Sequence, residues 1–150
     1  MDGACLARAL GSALVGDPDC IFCKIVAGEV PATLVAEDER TVAFMDISPA
    51  TRGHALVIPR THVEDLAAVG PDDLAACAHM AKRVAARQRE VLGADGVNLL
   101  NAWGRAAWQS VFHFHIHVIP RYRGDPLRLP WTPGAGDPDE IRAAGQELAG

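Results

Sequence analysis

Histidines alternate with large apolar residues in the segment from 111 to 118. A period of two is typical of a β-strand with two unlike faces. The predicted core face consists of Phe112, Phe114, Ile116 and Val118. The opposite face carries His113, His115 and His117, three of the six histidines in the chain. Because histidine titrates near neutral pH, acts as a nucleophile and binds metals, this row predicts a functional site.

Other apolar segments predict four further strands, and one longer pattern predicts a helix. The strands are expected over 33–37, 41–46, 54–58 and 97–101. The helix begins at Gly70-Pro71, with acidic residues in its first turn, and Gly93 closes it. Its predicted buried stripe is Leu74, Cys77, Ala81, Val84, Val91 and Leu92. Together these elements predict an α+β fold, with an antiparallel sheet of about five strands and one long helix packed on it.

The two ends of the chain lack this patterning. Residues 1–18 are predicted to be a flexible N-terminal extension, and residues 19–122 to form the domain. Residues 123–150 are rich in proline and glycine and predict an irregular tail, with one short helix from about Asp139 to Leu148.

Length and composition restrict the classes of protein that this chain can represent. A chain of 150 residues, 49% of them hydrophobic, fits one domain with a real core. The net charge of −5 argues against a nucleic-acid partner. No apolar run approaches the roughly 20 residues that a membrane helix needs, and the N-terminus fits a secretory signal poorly. We therefore expect a cytoplasmic protein with no membrane partner.

The spacing of the three histidines limits how they can share a metal ion. At a rise of about 3.3 Å per residue, His113 and His117 would lie roughly 13 Å apart along a strand. Two neighbours in the row could bind one ion together, but all three could not. At least one histidine is therefore predicted to be free for other chemistry.

Cys20 and Cys23 form a Cys-x-x-Cys pair. Without a secretory context, a disulfide framework is not expected. Two thiolates at this spacing are half of a tetrahedral zinc site. A thioredoxin-like redox pair is the alternative, although the strand expected before such a motif is absent. Cys77 falls within the helical pattern and is predicted to fill the core.

Four segments follow the order and spacing of a known family. They are 20–25, 44–49, 53–62 and the stretch from Asn101 through Gln109-Ser110-Val111 into the three histidines. From about Asp19 to Tyr122 the chain closely resembles the histidine-triad nucleotide-binding family. The resemblance implies a homodimer that binds purine nucleotides and hydrolyses bonds at the α-phosphate. It also implies a nucleotidyl-histidine intermediate.

The resemblance implies a role for each matching residue. His115 resembles the nucleophile, and His117, His54 and Ser110 match positions near the phosphate and the leaving group. The nucleotide-binding positions are Asn101 and Gln109 for the phosphate, Asp46 for the ribose, and Phe22, Phe44 and Ile47 for the base. Asp46 could instead cap a loop, and the two phenylalanines could be ordinary core.

In bacterial members that carry the Cys-x-x-Cys pair, two cysteines and two histidines hold zinc. The matching residues here are Cys20, Cys23, His62 and His113. This resemblance implies a structural zinc ion and no organic cofactor. It assigns His113 to the metal and leaves His115 and His117 for the phosphate, although His62 could also be solvent-exposed.

One residue departs from the family pattern. Relatives commonly carry glycine just before the glutamine, and this chain has Trp108. The indole could narrow the phosphate site, stack on the leaving group or point outward. The substrates that the resemblance implies are purine nucleoside phosphoramidates, with dinucleoside polyphosphates as the alternative, and the loop around Trp108 bears on the choice between them. A nucleotide-binding regulatory protein with little turnover is the hypothesis from another class.

Overall fold

The computed structural model describes residues 16–150, so most of the predicted N-terminal extension lies outside the described residues. Three α-helices, five strands and one 3₁₀ turn form the described part of the chain. In chain order they are α1 (Ile21–Val26), β1 (Leu34–Glu37), β2 (Thr41–Met45), β3 (Ala55–Pro59), α2 (Pro71–Leu92), β4 (Gly96–Leu100), the 3₁₀ turn (Arg105–Ala107), β5 (Ile116–Arg121) and α3 (Pro138–Ala149).

The five strands form one antiparallel sheet in the order β1-β2-β3-β5-β4. The α+β prediction is confirmed, and so is the hairpin between β1 and β2. Asp38 closes that hairpin, because its carboxylate accepts hydrogen bonds from the backbone N–H groups of Arg40 and Thr41. The pairing of β3 with β5 brings the start of β3 next to the start of the histidine strand, and the candidate functional residues lie around this junction.

Helix α2 covers one face of the sheet. Pro71 stands in its first turn, and Gly93 ends it in the left-handed conformation at φ 67°. Cys77, Ala81 and Val84 are buried against the sheet as predicted. The prediction was wrong at Val91, whose side chain is 59% exposed. Val91 lines an open groove between α2 and the first strands, and Met80 and Gln88 complete the buried stripe instead.

Helix α1, which the sequence pattern did not predict, covers part of the opposite face. A second apolar cluster forms there between α1, β2 and β3. Its members are Cys20, Phe22, Val42, Phe44, Leu56 and Ile58. The six-residue helix is too short for a readable 3.6-residue pattern. It places Cys20 at its N-terminus and Cys23 one turn later.

The predicted histidine strand is shorter than expected. β5 begins at Ile116, and residues 111–115 lie outside the sheet. The backbone groups there are bonded elsewhere, since the N–H of Phe114 donates to Val63 O at 2.7 Å. The alternation of faces still holds from residue 113 onward. Phe114, Ile116 and Val118 are buried on the α2 side, but Phe112 is only half-buried, with the Arg105 guanidinium 4.8 Å from its ring centre.

The C-terminal tail leaves the body of the protein after β5. All residues from 128 to 150 are exposed, including the whole of α3. This helix confirms the element predicted over about 139–148. Within residues 16–150, no helix is long and apolar enough to cross a membrane.

Candidate active site

Four metal-binding side chains converge at the end of β3. The ligand atoms of Cys20, Cys23, His62 and His113 all lie within 4.8 Å of one another. The distances from sulfur to histidine Nδ1 are 3.5 Å for Cys20–His113, 3.6 Å for Cys23–His113 and 3.2 Å for Cys23–His62. Tetrahedral zinc with ordinary bond lengths separates sulfur and nitrogen ligands by about 3.5 Å. The residues therefore fit a closed zinc site.

The surroundings of His113 also suit a metal ligand. Its Nε2 lies 2.9 Å from Pro59 O, which fixes the proton on Nε2 and leaves the Nδ1 lone pair facing the two sulfurs. Burial lowers the pKa of His113 to about 4, so the ring is neutral at pH 7. Burial raises the pKa of the Cys23 thiol, so zinc binding must displace protons from the site.

His115 is buried between the zinc ligands and His117. Its Nδ1 lies 2.7 Å from His113 O, and this bond requires a proton on Nδ1. The phenyl ring of Phe22 packs edge-on against the imidazole, with the ring centres 5.4 Å apart. Burial lowers the pKa of His115, which favours the neutral ring. The second nitrogen, Nε2, therefore carries a lone pair that can attack an electrophile.

His117 and His54 form a hydrogen-bonded pair beside His115. The N–H of Ala50 donates to His54 Nδ1 at 3.1 Å, so the proton of a neutral His54 is on Nε2. This nitrogen lies 2.9 Å from His117 Nδ1 and donates to it. Neutral His117 then carries its own proton on Nε2. Burial lowers the pKa values of both rings, that of His117 to about 4.

Asp46 completes this group. Its Oδ2 lies 3.6 Å from His54 Nε2 and 4.0 Å from His117 Nδ1. The other oxygen accepts the N–H of Ser48 at 2.7 Å, so Asp46 also caps its loop. The three side chains could hold a metal by proximity. However, the two ring nitrogens are closer than the roughly 3.3 Å expected between nitrogen ligands of one zinc ion, and they share a proton instead.

The predicted phosphate-binding residues occupy different environments. Asn101 Nδ2 donates to His115 O at 2.9 Å and so fixes the backbone of that residue. Gln109 is buried, and its amide is engaged within the protein. It accepts from Gly104 N–H at 2.8 Å and donates to Glu64 O at 2.9 Å. Ser110 is exposed beside it. The amide of Gln109 therefore holds the loop before the histidines, and a phosphate contact from it stays a prediction.

The three residues predicted around the base also differ from one another. Phe22 and Phe44 are buried and pack edge-on, with ring centres 5.4 Å apart. Both belong to the apolar cluster under α1, the ordinary core role that the sequence left open. Ile47 is 98% exposed and is the residue of this set that has apolar surface available to a ligand.

Gln88 is a positioning residue that the sequence interpretation missed. Its Nε2 donates to Gly53 O and to Val118 O, both at 2.9 Å. These carbonyls belong to the residues just before His54 and just after His117. Helix α2 thereby fixes the backbone next to His54 and next to His117 from the opposite face of the sheet. A glutamine within the apolar stripe of α2, four residues after Val84, was the available signal.

Gly53 allows this close packing. Its φ of 95° is unfavourable for other residues, and a β-carbon there would lie 2.4 Å from Leu92 Cδ1. A side chain at this position would force the Leu92 side chain to move and would strain the backbone at φ 95°.

Trp108 adopts a backbone conformation that favours glycine. Its φ is 73° and its ψ 18°, the left-handed region, at the end of the 3₁₀ turn. The side chain is 65% exposed, so the indole points outward. The glycine common in relatives has a physical reason here, because only glycine adopts this conformation without a steric penalty.

We expect Trp108→Gly to raise the free energy of unfolding by about 1 kcal/mol, because it removes the strain at φ 73°. Trp103 is also exposed, but its φ is not positive, so Trp103→Gly should lower stability by a similar amount. Urea denaturation of both variants tests this difference. Equal destabilisation by the two substitutions would contradict it.

Comparisons with known proteins agree with this geometry. The model of the HIT domain matches residues 27–124. The chain is 37% identical to adenosine 5'-monophosphoramidase hnt1 of Schizosaccharomyces pombe, over 87% of this chain and 96% of that protein. A solved HIT-family protein of Bacillus subtilis is 40% identical with a TM-score of 0.80, covering 87% of this chain and 95% of the other.

A solved zinc-bound histidine triad protein of Mycobacterium smegmatis is similar as well. It is 44% identical with a TM-score of 0.71, and the match covers 87% of this chain and 96% of that structure. These similarities agree with the antiparallel sheet and with the cysteine and histidine cluster described above.

Proposed function

Because this chain belongs to the HIT domain family of nucleotide-binding hydrolases, we propose that it cleaves purine nucleoside phosphoramidates at the α-phosphate through a nucleotidyl intermediate on His115. One observation carries this proposal. The Nδ1 of His115 is bonded to His113 O at 2.7 Å, which leaves its Nε2 as a fixed neutral nucleophile. A neutral imidazole suits an anionic phosphate, which repels anionic nucleophiles.

The first step forms a bond from His115 Nε2 to the α-phosphorus and breaks the bond from phosphorus to the leaving nitrogen. The leaving amine takes one proton from His117 Nε2. For this step the His54–His117 pair carries one extra proton, which the negative charge of the bound phosphate favours, and the pair becomes neutral again afterwards. The His115 and His117 ring centres lie 4.9 Å apart. In the second step, water attacks phosphorus, breaks the phosphorus–histidine bond and returns one proton to the His54–His117 pair. Two such steps replace one difficult displacement by water.

The chain supplies groups for the charge and the position of the nucleotide. Proton donors on His117 and Ser110 stabilise the phosphate oxygens, and Asn101 holds the His115 backbone in place. Asp46 accepts the ribose hydroxyls and Ile47 contacts the purine. Asp46 has an oxygen directed to the histidine pair, and Ile47 is the exposed apolar residue next to it.

Zinc at Cys20, Cys23, His62 and His113 would be a structural ion. All four positions of a tetrahedral zinc ion are taken by protein atoms, so no position is open for substrate. When bound, the ion would fix the backbone of residue 113, whose carbonyl orients the nucleophile. The proposed reaction therefore needs no catalytic metal.

Turnover of two nucleotide conjugates tests this proposal. The purified protein is incubated with adenosine 5'-phosphoramidate and, separately, with diadenosine tetraphosphate, and AMP is quantified by chromatography. We expect faster release of AMP from the phosphoramidate. Faster cleavage of the dinucleotide would favour the alternative leaving group, and AMP binding without turnover of either compound would favour a regulatory role.

We also propose that the protein acts as a homodimer. Among residues 16–150, β4 is an edge strand of the sheet and has β5 as its single partner strand. Leu99 and Leu100 are exposed on it although they are large and apolar. An uncovered edge with such residues is a template for pairing with another chain, and a second copy satisfies it symmetrically.

A further inference from the structure

Helix α3 has a cap and an apolar stripe typical of a docked helix, but all of its residues are exposed within the described residues 16–150. Asp137 caps it by accepting the N–H groups of Asp139 and Glu140, and Pro138 begins its first turn. Ile141, Ala144 and Leu148 follow helical spacing and form one apolar stripe. Yet Ile141 is 63% and Leu148 89% exposed. A 12-residue helix is marginal alone in water, so this one needs a surface to cover its stripe.

A matching surface lies between the second half of α2 and the first two strands. This groove, about 690 Å³ in volume, has an apolar floor that includes Val35, Met45 and Val91. Arg52, Arg83 and Arg87 stand at its edges. An apolar groove with guanidinium groups at its edges suits an amphipathic helix with acidic flanks.

The charge on α3 is complementary to this groove. Its cap and body carry four carboxylates, on Asp137, Asp139, Glu140 and Glu147. A single guanidinium, that of Arg142, opposes them and pairs with Asp139. The stripe would enter the apolar floor, and the carboxylates would face the arginines.

Helix α3 lies outside the groove of its own chain. Arg121 binds both oxygens of Asp125 at 2.8 Å and Leu127 O at 3.2 Å, which fixes the chain to its own body up to residue 127. The ten residues from 128 to 137 are exposed and can span up to about 33 Å. No residue of α3 lines the groove of its own chain.

We infer that α3 of each protomer docks in the groove of a second copy, so that two chains exchange their C-terminal arms. The exchange is reciprocal, because each chain supplies one helix and one groove. The inference builds on the homodimer proposed above, and its test does not involve turnover. A failure of the catalytic proposal would therefore leave it unaffected.

Hydrogen exchange of the α3 amides tests the docking. In the full chain at micromolar concentration, we expect the peptide covering 138–149 to exchange at least about 100-fold more slowly than an unstructured peptide. Val91→Asp in the groove, or Ile141→Asp with Leu148→Asp on the helix, should abolish this protection. All three side chains are exposed within one chain, so the body should stay folded. Ala143→Asp adds one negative charge to α3 away from the stripe and should keep the protection.

Mixing two defective variants separates exchange between copies from docking within one chain. The Val91→Asp chain has an intact helix, and the Ile141→Asp, Leu148→Asp chain has an intact groove. After mixing, the wild-type helix peptide, which comes only from the Val91→Asp chain, should regain protection. No regain would overturn the exchange. Fast exchange in the wild-type protein, or protection insensitive to Val91→Asp, would overturn the docking site.

Discussion

His115→Asn should lower turnover of a nucleoside phosphoramidate by about 10⁴-fold or more while the protein stays folded. Asparagine retains an amide N–H that can donate to His113 O, but it has no ring nitrogen lone pair to attack phosphorus. The bond to His113 O is 2.7 Å in the native site. Single-turnover assays and a thermal melt of the same preparation measure the two effects separately.

A matched control uses the same substitution at a histidine far from the site. His79 is exposed on α2, so His79→Asn should leave turnover and melting unchanged. Acid quenching of the wild-type reaction, followed by mass spectrometry, should show one nucleotidyl group on the peptide with His115. Turnover of the asparagine variant within tenfold of wild type would rule out His115 as the nucleophile.

The second large effect concerns the metal. Cys23→Ala should remove zinc and lower the free energy of unfolding by about 3 kcal/mol, which corresponds to a fall in melting temperature of about 10 °C. Cys23 Sγ lies near the ligand nitrogens of both His62 and His113, so its loss leaves three of the four zinc ligands. Elemental analysis and calorimetry of the purified variant check both quantities.

Cys77→Ala provides the comparison for the cysteine change. Cys77 of α2 is buried in the core and lies outside the cluster of four ligand atoms, so we expect it to have no part in metal binding. Its replacement should cost stability through a small cavity while the zinc content stays at one ion per chain. Wild-type protein without bound zinc, or equal zinc in both variants, would refute the structural site.

Local patterning predicted much of the fold and the order of the histidine row. The alternation at 113–118 placed Phe114 and His115 on opposite sides, and this arrangement holds although the strand begins only at Ile116. The pattern could not show where β5 begins. The N–H of Phe114 is bonded to Val63, a residue about fifty positions earlier, and such long-range bonds leave no local signal.

The detailed roles within the site depended on tertiary structure in the same way. The order of protons along Ala50, His54 and His117 follows from three-dimensional contacts that no spacing predicts. Gln88 and Trp108 show two further limits. A polar residue in the apolar stripe of a helix, such as Gln88, can either fill the core or bond a neighbouring strand, and the sequence does not show which. A tryptophan rarely adopts a left-handed φ, so nothing in the sequence indicated this conformation at Trp108. The Cys-x-x-Cys spacing indicated half of the metal site, but His62 and His113 were assigned to it only through the resemblance, because they are far from the cysteines in sequence.

One carbonyl group, that of residue 113, has a consequence for genetic experiments on this protein. The side chain of His113 is a predicted zinc ligand, and its carbonyl oxygen accepts the proton that orients the His115 ring. Substitutions at the two cysteines and at His115 should therefore be epistatic. In a chain that already lacks the nucleophile, losing the metal would cost stability but no further activity. Substitution of His113 removes a zinc ligand next to that carbonyl, so it should lower stability and activity together, as the cysteine substitutions should.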